Sequence, residues 1–215
     1  LCGNWRIMGP KADEWMGVAI GGLVNLLTGT VSRWVDCEPS TRQRIYFGNH
    51  SSLLDFVVIW AALPLAVRRL TRPAAARDYW TASPVRRYLA AQIFKSILID
   101  RSGNLSGAAQ SLEAVVAGMG DECSLIIFPE GTRGSGEKIG PFKSGIYHIA
   151  RRKPGLELVP VFMENLNRIL PKGGALPAPL IGSVSFGKPL VLEPGESRVV
   201  FLERARTAIE NLARV

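Results

Sequence analysis

Apolar positions change their period several times along the chain, and the changes mark its elements. The 17 residues from Trp15 to Val31 (WMGVAIGGLVNLLTGTV) carry no charge. That length stands at the short limit for a bilayer span. Asn25, two threonines and four glycines weaken the segment further for that task. Two readings stay open: a helix lying on or shallowly inserted in a membrane surface, and an ordinary core helix. Beyond it, residues 44–48 (RIYFG) read as a strand. Residues 52–63 read as a helix stopped by Pro64, and residues 66–70 as a second strand. Residues 84–94 read as a helix with Pro84 in its first turn, and residues 96–99 as a short buried strand.

In residues 106–118, Ala108, Leu112, Val115 and Met119 recur at helical spacing, and Gly118 and Gly120 supply the exit. Residues 124–128 (SLIIF) form the clearest buried strand. Residues 142–152 return to helix, residues 158–163 and 183–186 read as strands, and residues 197–214 as a last helix with Leu202, Ala205, Ile209 and Leu212 on one face. Alternation of apolar runs with helical patterns indicates an α/β fold. Strands that are apolar throughout imply a sheet covered on both faces, hence largely parallel. Functional loops then belong beyond the strands' carboxyl ends. The expectation is a single α/β domain at residues 35–215, a mostly parallel central sheet flanked by helices, preceded by an N-terminal amphipathic, membrane-associating segment at residues 1–34.

Composition narrows the chemistry. The chain of 215 residues is 47% hydrophobic, with a net charge of +8 and a pI of about 9.8. It can bury a core, and its field favours anionic partners: nucleic acid, an acidic membrane surface or phosphorylated ligands. No RRM, KH or zinc-finger pattern occurs, so nucleic acid is not an expected partner. The cysteines, Cys2, Cys37 and Cys123, are odd in number, widely spaced and without a C-x-x-C pair. With only His50 and His148 besides, neither a disulfide framework nor a metal site is expected.

The segment Asn49 to Asp55 (NHSSLLD) follows a strand and opens a helix. Ser52 and Asp55 have capping-box spacing, which turns the Asp55 carboxylate back toward the helix start. His50 stands just before that cap. The turn can therefore bring carboxylate and imidazole together, fixing the tautomer and leaving the other ring nitrogen to act as a base near neutral pH. Taken singly, Asp55 also reads as a helix cap and His50 as a loop residue.

A second signal, Phe128 to Lys138 (FPEGTRGSGEK), follows the best strand. Pro129 ends the strand, and Gly131, Gly134 and Gly136 allow close backbone approach. Thr132 offers a hydroxyl and Arg133 a planar fork of donors suited to phosphate. No Walker A pattern is present. The alternative is a surface loop with turn glycines. His148 has no acidic residue at helical spacing and reads as structural. Ser51, Ser144 and Cys123 lie outside any G-x-S-x-G elbow, which argues against a covalent serine mechanism.

These segments together resemble the lysophosphatidate/glycerol-3-phosphate acyltransferase family. Asn49-His50-Ser51-Ser52-Leu53-Leu54-Asp55 is similar to its NHxSxxD block (the HX4D motif). Ile97-Leu98-Ile99-Asp100-Arg101 is similar to its FIDR block, Phe128 to Arg133 to its FPEGTR block, and Leu158-Val159-Pro160-Val161 to its hydrophobic-V-P-V block. Phe142-Lys143-Ser144-Gly145 also looks like the segment that follows the EGT loop.

The resemblance implies an acyl-CoA or acyl-carrier-protein donor as co-substrate and no other cofactor. It implies His50 as general base, Asp55 as its orienter, and Glu130, Gly131, Thr132 and Arg133 at the acceptor's phosphate, with Arg101 adding charge. Pro160 would belong to the acyl-chain region. Arg77 stands where the family commonly has a lysine that reaches phosphate. The implied acceptor is a phosphate-bearing lysolipid, first of all 1-acyl-glycerol-3-phosphate, with another lysolipid such as a lyso-aminolipid as the rival. The implied location is the cytoplasmic face of an anionic membrane, peripheral or monotopic. Readings from other classes are a basic membrane-surface binding module without catalysis and a hydrolase using water as acceptor.

Overall fold

The computed structural model describes residues 10–52, 55–100, 105–134, 138–164 and 182–214. Its centre is β2 (Arg44–Gly48), a strand of bulky apolar residues buried along its whole length. Parallel partners flank it: β5 (Ser124–Ile127) on one side and β6 (Glu157–Glu164) on the other. Beyond β5 lie β3 (Thr71–Ala76) and then β4 (Ile97–Ile99), both parallel. Beyond β6 lie β7 (Ser183–Phe186), antiparallel to it, and β1 (Val31–Trp34), parallel to β7. The order of the seven strands is β1-β7-β6-β2-β5-β3-β4. The expected mostly parallel sheet is present, with one antiparallel step.

Period-two alternation divides the sheet residues between two helical layers. Tyr46, Ile126, Val159 and Val161 pack with Phe56 and Trp60 of α2 (Asp55–Ala62), and Met16, Ile20 and Val24 of α1 (Pro10–Thr28) join that layer. Ile45, Phe47, Leu125 and Leu158 face the other way. There they meet Val115 and Met119 of α6 (Leu105–Met119), Ile146 and Ile149 of α7 (Gly145–Arg152), and Phe201, Ala205 and Ile209 of α8 (Arg198–Leu212). The large side chains among these that are fully buried, such as Phe47, Ile126 and Phe201, each contribute on the order of 1.5–3 kcal/mol relative to exposure.

Three segments depart from expectation. Residues 66–70 are not a strand: Leu65–Arg69 form helix α3, entered through Pro64 in an extended conformation. The strand comes next, as β3, whose sequence TRPAAA has little β propensity. Pro73 is tolerated because the β4 ladder begins only at Ala74. At the N-terminal side, Gly29 takes φ +56° and ends α1, the usual role of a left-handed glycine past a helix. Residues 31–34 then join the sheet, which the uncharged run had concealed. Residues 84–93 are helical as expected, as α5 (Pro84–Tyr88) capped by Ser83 and continued by a π-helical turn over Leu89–Ile93.

Helix α1 packs on the domain and does not stand apart from it. Among the described residues, no helix is long and apolar enough to cross a membrane. Gly21 of α1 lies directly against the Arg68 guanidinium, with no room for a Cβ. Arg68 in turn donates to the carbonyl of Leu63 at 3.1 Å and lies 4.9 Å over the Trp60 ring. Asn25 Nδ2 donates to Ala61 O at 3.3 Å. The carbonyl end of α2 is thus tied by side chains from α1 and α3. The opposite side of α1 is bare: Trp15 is 73% exposed and Leu26 80%, with Leu23 and Leu27 also exposed.

Candidate active site

The parallel register brings β2, β5 and β6 to one edge, with Gly48 level with Val161 and Phe47 with Ile127. The loop leaving β2 is pinned there by Asn49. Its buried amide donates to Met163 O at 3.1 Å and accepts from Met163 N at 2.9 Å, continuing the ladder between β2 and β6 through a side chain.

His50 follows. Its Nδ1 lies 2.8 Å from Asp55 Oδ2, and the same oxygen accepts the backbone N–H groups of Ser51 at 2.6 Å and Ser52 at 2.8 Å. An ionised carboxylate only accepts, so Nδ1 carries the proton and Nε2 presents a lone pair. Asp55 is 0% exposed and opens α2, so one buried oxygen both caps the helix and orients the ring. The Phe128 ring stacks on the imidazole with centroids 4.5 Å apart. The His50 side chain keeps 19% of its exposure and borders a cavity of about 310 Å³. This is the arrangement expected from NHSSLLD.

The Glu130 loop joins the same structure through backbone groups. Glu130 is buried, and among the described residues its carboxylate is met by backbone N–H donors. Its Oε1 accepts the His50 N–H at 2.8 Å and its Oε2 accepts the Gly140 N–H at 3.0 Å. Gly134 N donates to His50 O at 2.8 Å, and Lys143 N to Pro129 O at 2.8 Å. The loop is therefore sewn to the histidine turn from both sides. Gly131 takes φ +70°, and a Cβ there would lie 2.8 Å from the Lys143 side chain.

Thr132 and Arg133 follow on an exposed turn, and among the described residues their side chains have no partner. Arg77 starts α4 (Arg77–Trp80) at the carboxyl end of β3, two strands from β2; its Nη2 lies 3.5 Å from Leu98 O. It shares the edge with His50 but does not border the same cavity. Arg101 and Gly136 lie outside the described residues. Pro160 lies within β6. His148 sits in α7 beside Tyr147, away from the histidine turn.

Side chains that sequence reasoning passed over complete the surroundings. Lys138, Phe162, Arg206, Glu210 and Arg214 border the His50 cavity. Arg206, Glu210 and Arg214 recur at a spacing of four on α8 and its end. That spacing reads as an ordinary solvated face, so only tertiary structure shows what it covers. Among the described residues, no group of three or more His, Cys, Asp or Glu is placed to hold a metal ion.

A strand-edge histidine backed by a buried aspartate, knitted to a Glu-Gly-Thr-Arg turn, suits proton abstraction from a hydroxyl. A family model described as Acyltransferase matches residues 35–164, and the chain belongs to that family. It is similar to a 1-acyl-sn-glycerol-3-phosphate acyltransferase of Limnanthes alba, 31% identical over 188 residues, which are 86% of this chain and 64% of that protein. A protein of the same name from Cocos nucifera is 30% identical over 190 residues, 84% of this chain and 59% of that one. The chain thus spans just under two thirds of the length of these relatives. The crystal structure of the 1-acyl-sn-glycerophosphate (LPA) acyltransferase PlsC from Thermotoga maritima superposes with a TM-score of 0.72. That match covers 95% of this chain and 80% of that one at 17% identity, a likeness of fold.

Proposed function

We propose that the chain transfers a fatty acyl group from a thioester donor, acyl-CoA or acyl-carrier-protein, to the free hydroxyl of 1-acyl-glycerol-3-phosphate, giving phosphatidate. One observation carries the reading: His50 Nε2 is left as a base at a cavity, with Nδ1 held by a buried carboxylate. The relatives' names supply the acceptor. In the reaction, Nε2 takes the hydroxyl proton as the oxygen attacks the thioester carbonyl. The tetrahedral oxyanion collapses, the C–S bond breaks, and the imidazolium returns the proton to the thiolate. A thiol of pKa about 8.5 leaves with little acid assistance, so forming the nucleophile is the demanding step. No cofactor is required beyond the co-substrate.

Arg77, Arg133 and Arg101 are the cations proposed for the acceptor's phosphate, with Thr132 donating from its hydroxyl and Gly131 giving the turn its shape. Glu130 serves by holding the His50 backbone. The exposed apolar side of α1, uncharged from Trp15 to Val31, supports binding at the surface of an anionic membrane on its cytoplasmic face, where a lysolipid is met. The test is an assay of the purified protein with a labelled acyl donor and a panel of lysolipids, lyso-aminolipids included. Transfer to lysophosphatidate above all others is expected. Transfer only to another lysolipid replaces the acceptor. Free fatty acid released at an equal rate without acceptor replaces the reaction with hydrolysis.

A further inference from the structure

The cavity at His50 has two unlike walls. One is the histidine turn and the Glu130 loop. The other is the end of α8, which brings Arg206 and Arg214 toward the same space, with Lys138 closing it from the loop and Phe162 of β6 at its floor. Arg206 borders the cavity and is paired with Glu203 at 2.7 Å and Glu210 at 3.4 Å. Among the described residues, Lys138 and Arg214 have no carboxylate partner, and both side chains are exposed. Glu130 borders the cavity, but both its oxygens are taken by backbone N–H groups. With Glu210 counted beside Lys138, Arg206 and Arg214, the wall contributed by α8 and Lys138 still presents net positive charge to the cavity that His50 borders.

The position of α8 separates Arg206 and Arg214 from the acceptor cations, while Lys138 lies on the loop after β5 that also carries Arg133. Arg77 follows β3, and Arg133 follows β5, both on the β5-β3-β4 side of β2. Helix α8 lies on β6, on the other side of β2. It also belongs to the helical layer opposite α1 and its bare apolar surface. Two substrates must meet at His50, and they come from different phases. A lysolipid comes from the bilayer. A long-chain thioester is delivered on a water-soluble arm bearing phosphate. A cationic wall in the layer turned away from α1 matches the second substrate.

Resting on the transfer reaction proposed above, we infer that Lys138, Arg206 and Arg214 bind the phosphate of the donor's phosphopantetheine arm. That phosphate is common to coenzyme A and to acyl-carrier-protein, so the wall serves either source. Its arginines and lysine supply charge-assisted hydrogen bonds to phosphate oxygens, with Lys138 and Arg214 bringing charges that have no carboxylate partner among the described residues.

The experiment compares the wild type with Lys138→Gln, Arg214→Gln and the double variant, all of them changes at exposed side chains. Binding of coenzyme A and of phosphate-free pantetheine is measured by calorimetry, which needs no turnover and so stands apart from any failure of the proposed reaction. The wild type should bind coenzyme A more tightly than pantetheine, and each substitution should weaken coenzyme A about tenfold. In kinetics, the preference for acyl-CoA over an acyl-N-acetylcysteamine thioester should fall by the same factor, and the preference for acyl-carrier-protein with it. Three results overturn the inference: equal binding of coenzyme A and pantetheine by the wild type; a rise in the KM of lysophosphatidate with donor preference intact; or loss confined to acyl-CoA, which assigns the wall to the nucleotide end instead.

Discussion

Glu130 Oε1 accepts the backbone N–H of His50 at 2.8 Å, so the loop after β5 sets the position of the histidine in the loop after β2. The contact makes a distinction measurable. A residue that holds the base in place affects turnover, whereas a residue that grips the acceptor affects its KM. Glu130→Gln keeps one acceptor oxygen and offers a donor to the other N–H. It should lower kcat about ten- to a hundredfold, as expected when a reacting group shifts by a fraction of an ångström to an ångström. The KM of lysophosphatidate should change little. A large rise in KM at constant kcat would return Glu130 to the substrate.

Asp55→Asn tests the orienter. Three N–H donors converge on Asp55 Oδ2. An amide placed there retains one acceptor oxygen and can present its NH₂ group to the ring, favouring the wrong tautomer. In a carboxylate-oriented histidine this exchange costs about 10⁴ in kcat, and a loss on the order of 10³–10⁴ is expected here. The cap of α2 weakens as well, by about 1 kcal/mol. A calorimetric melt separates that modest destabilisation from the catalytic loss.

Gly131→Ala tests the turn. At φ +70° an alanine is strained by about 1–2 kcal/mol, and its methyl would lie where the Lys143 side chain runs, 2.8 Å from it. The Lys143 side chain can swing aside, but the strain at φ +70° stays in the turn that carries Thr132 and Arg133. The KM of lysophosphatidate should rise at least tenfold, measured beside a donor KM near the wild-type value.

Leu23→Glu and Leu26→Glu test the surface of α1. Both side chains are exposed, so the fold should lose no more than about 0.5 kcal/mol for each. Flotation with vesicles containing an acidic phospholipid should show less bound protein than the wild type. Equal flotation would remove α1 from the membrane contact. Point substitutions are the appropriate tool, because truncation through residue 34 would also remove β1 from the sheet.

What the sequence disclosed follows locality. The SLII run of β5, the turn from β2 into α2 and the His50–Asp55 pair are all set by residues within a few positions of one another, and each is where the pattern puts it. The strand β3 escaped because Pro73 and three alanines look unlike a strand and acquire their role only between β5 and β4. Strand β1 escaped because it continues an uncharged run that reads as helix. The partners of Glu130 are backbone groups of His50 and Gly140, which no side-chain pattern reports. The wall from α8 comes from residues more than 150 positions after His50, and only the packing of α8 on β6 brings them to the cavity.

The most direct measurement is the turnover of His50→Ala with a long-chain acyl thioester and lysophosphatidate, taken beside its thermal melt. His50 has a ring that is partly exposed and bonded only to Asp55, so the fold should persist while transfer falls by about 10²–10⁴. Turnover near the wild-type rate in a folded variant would contradict the account.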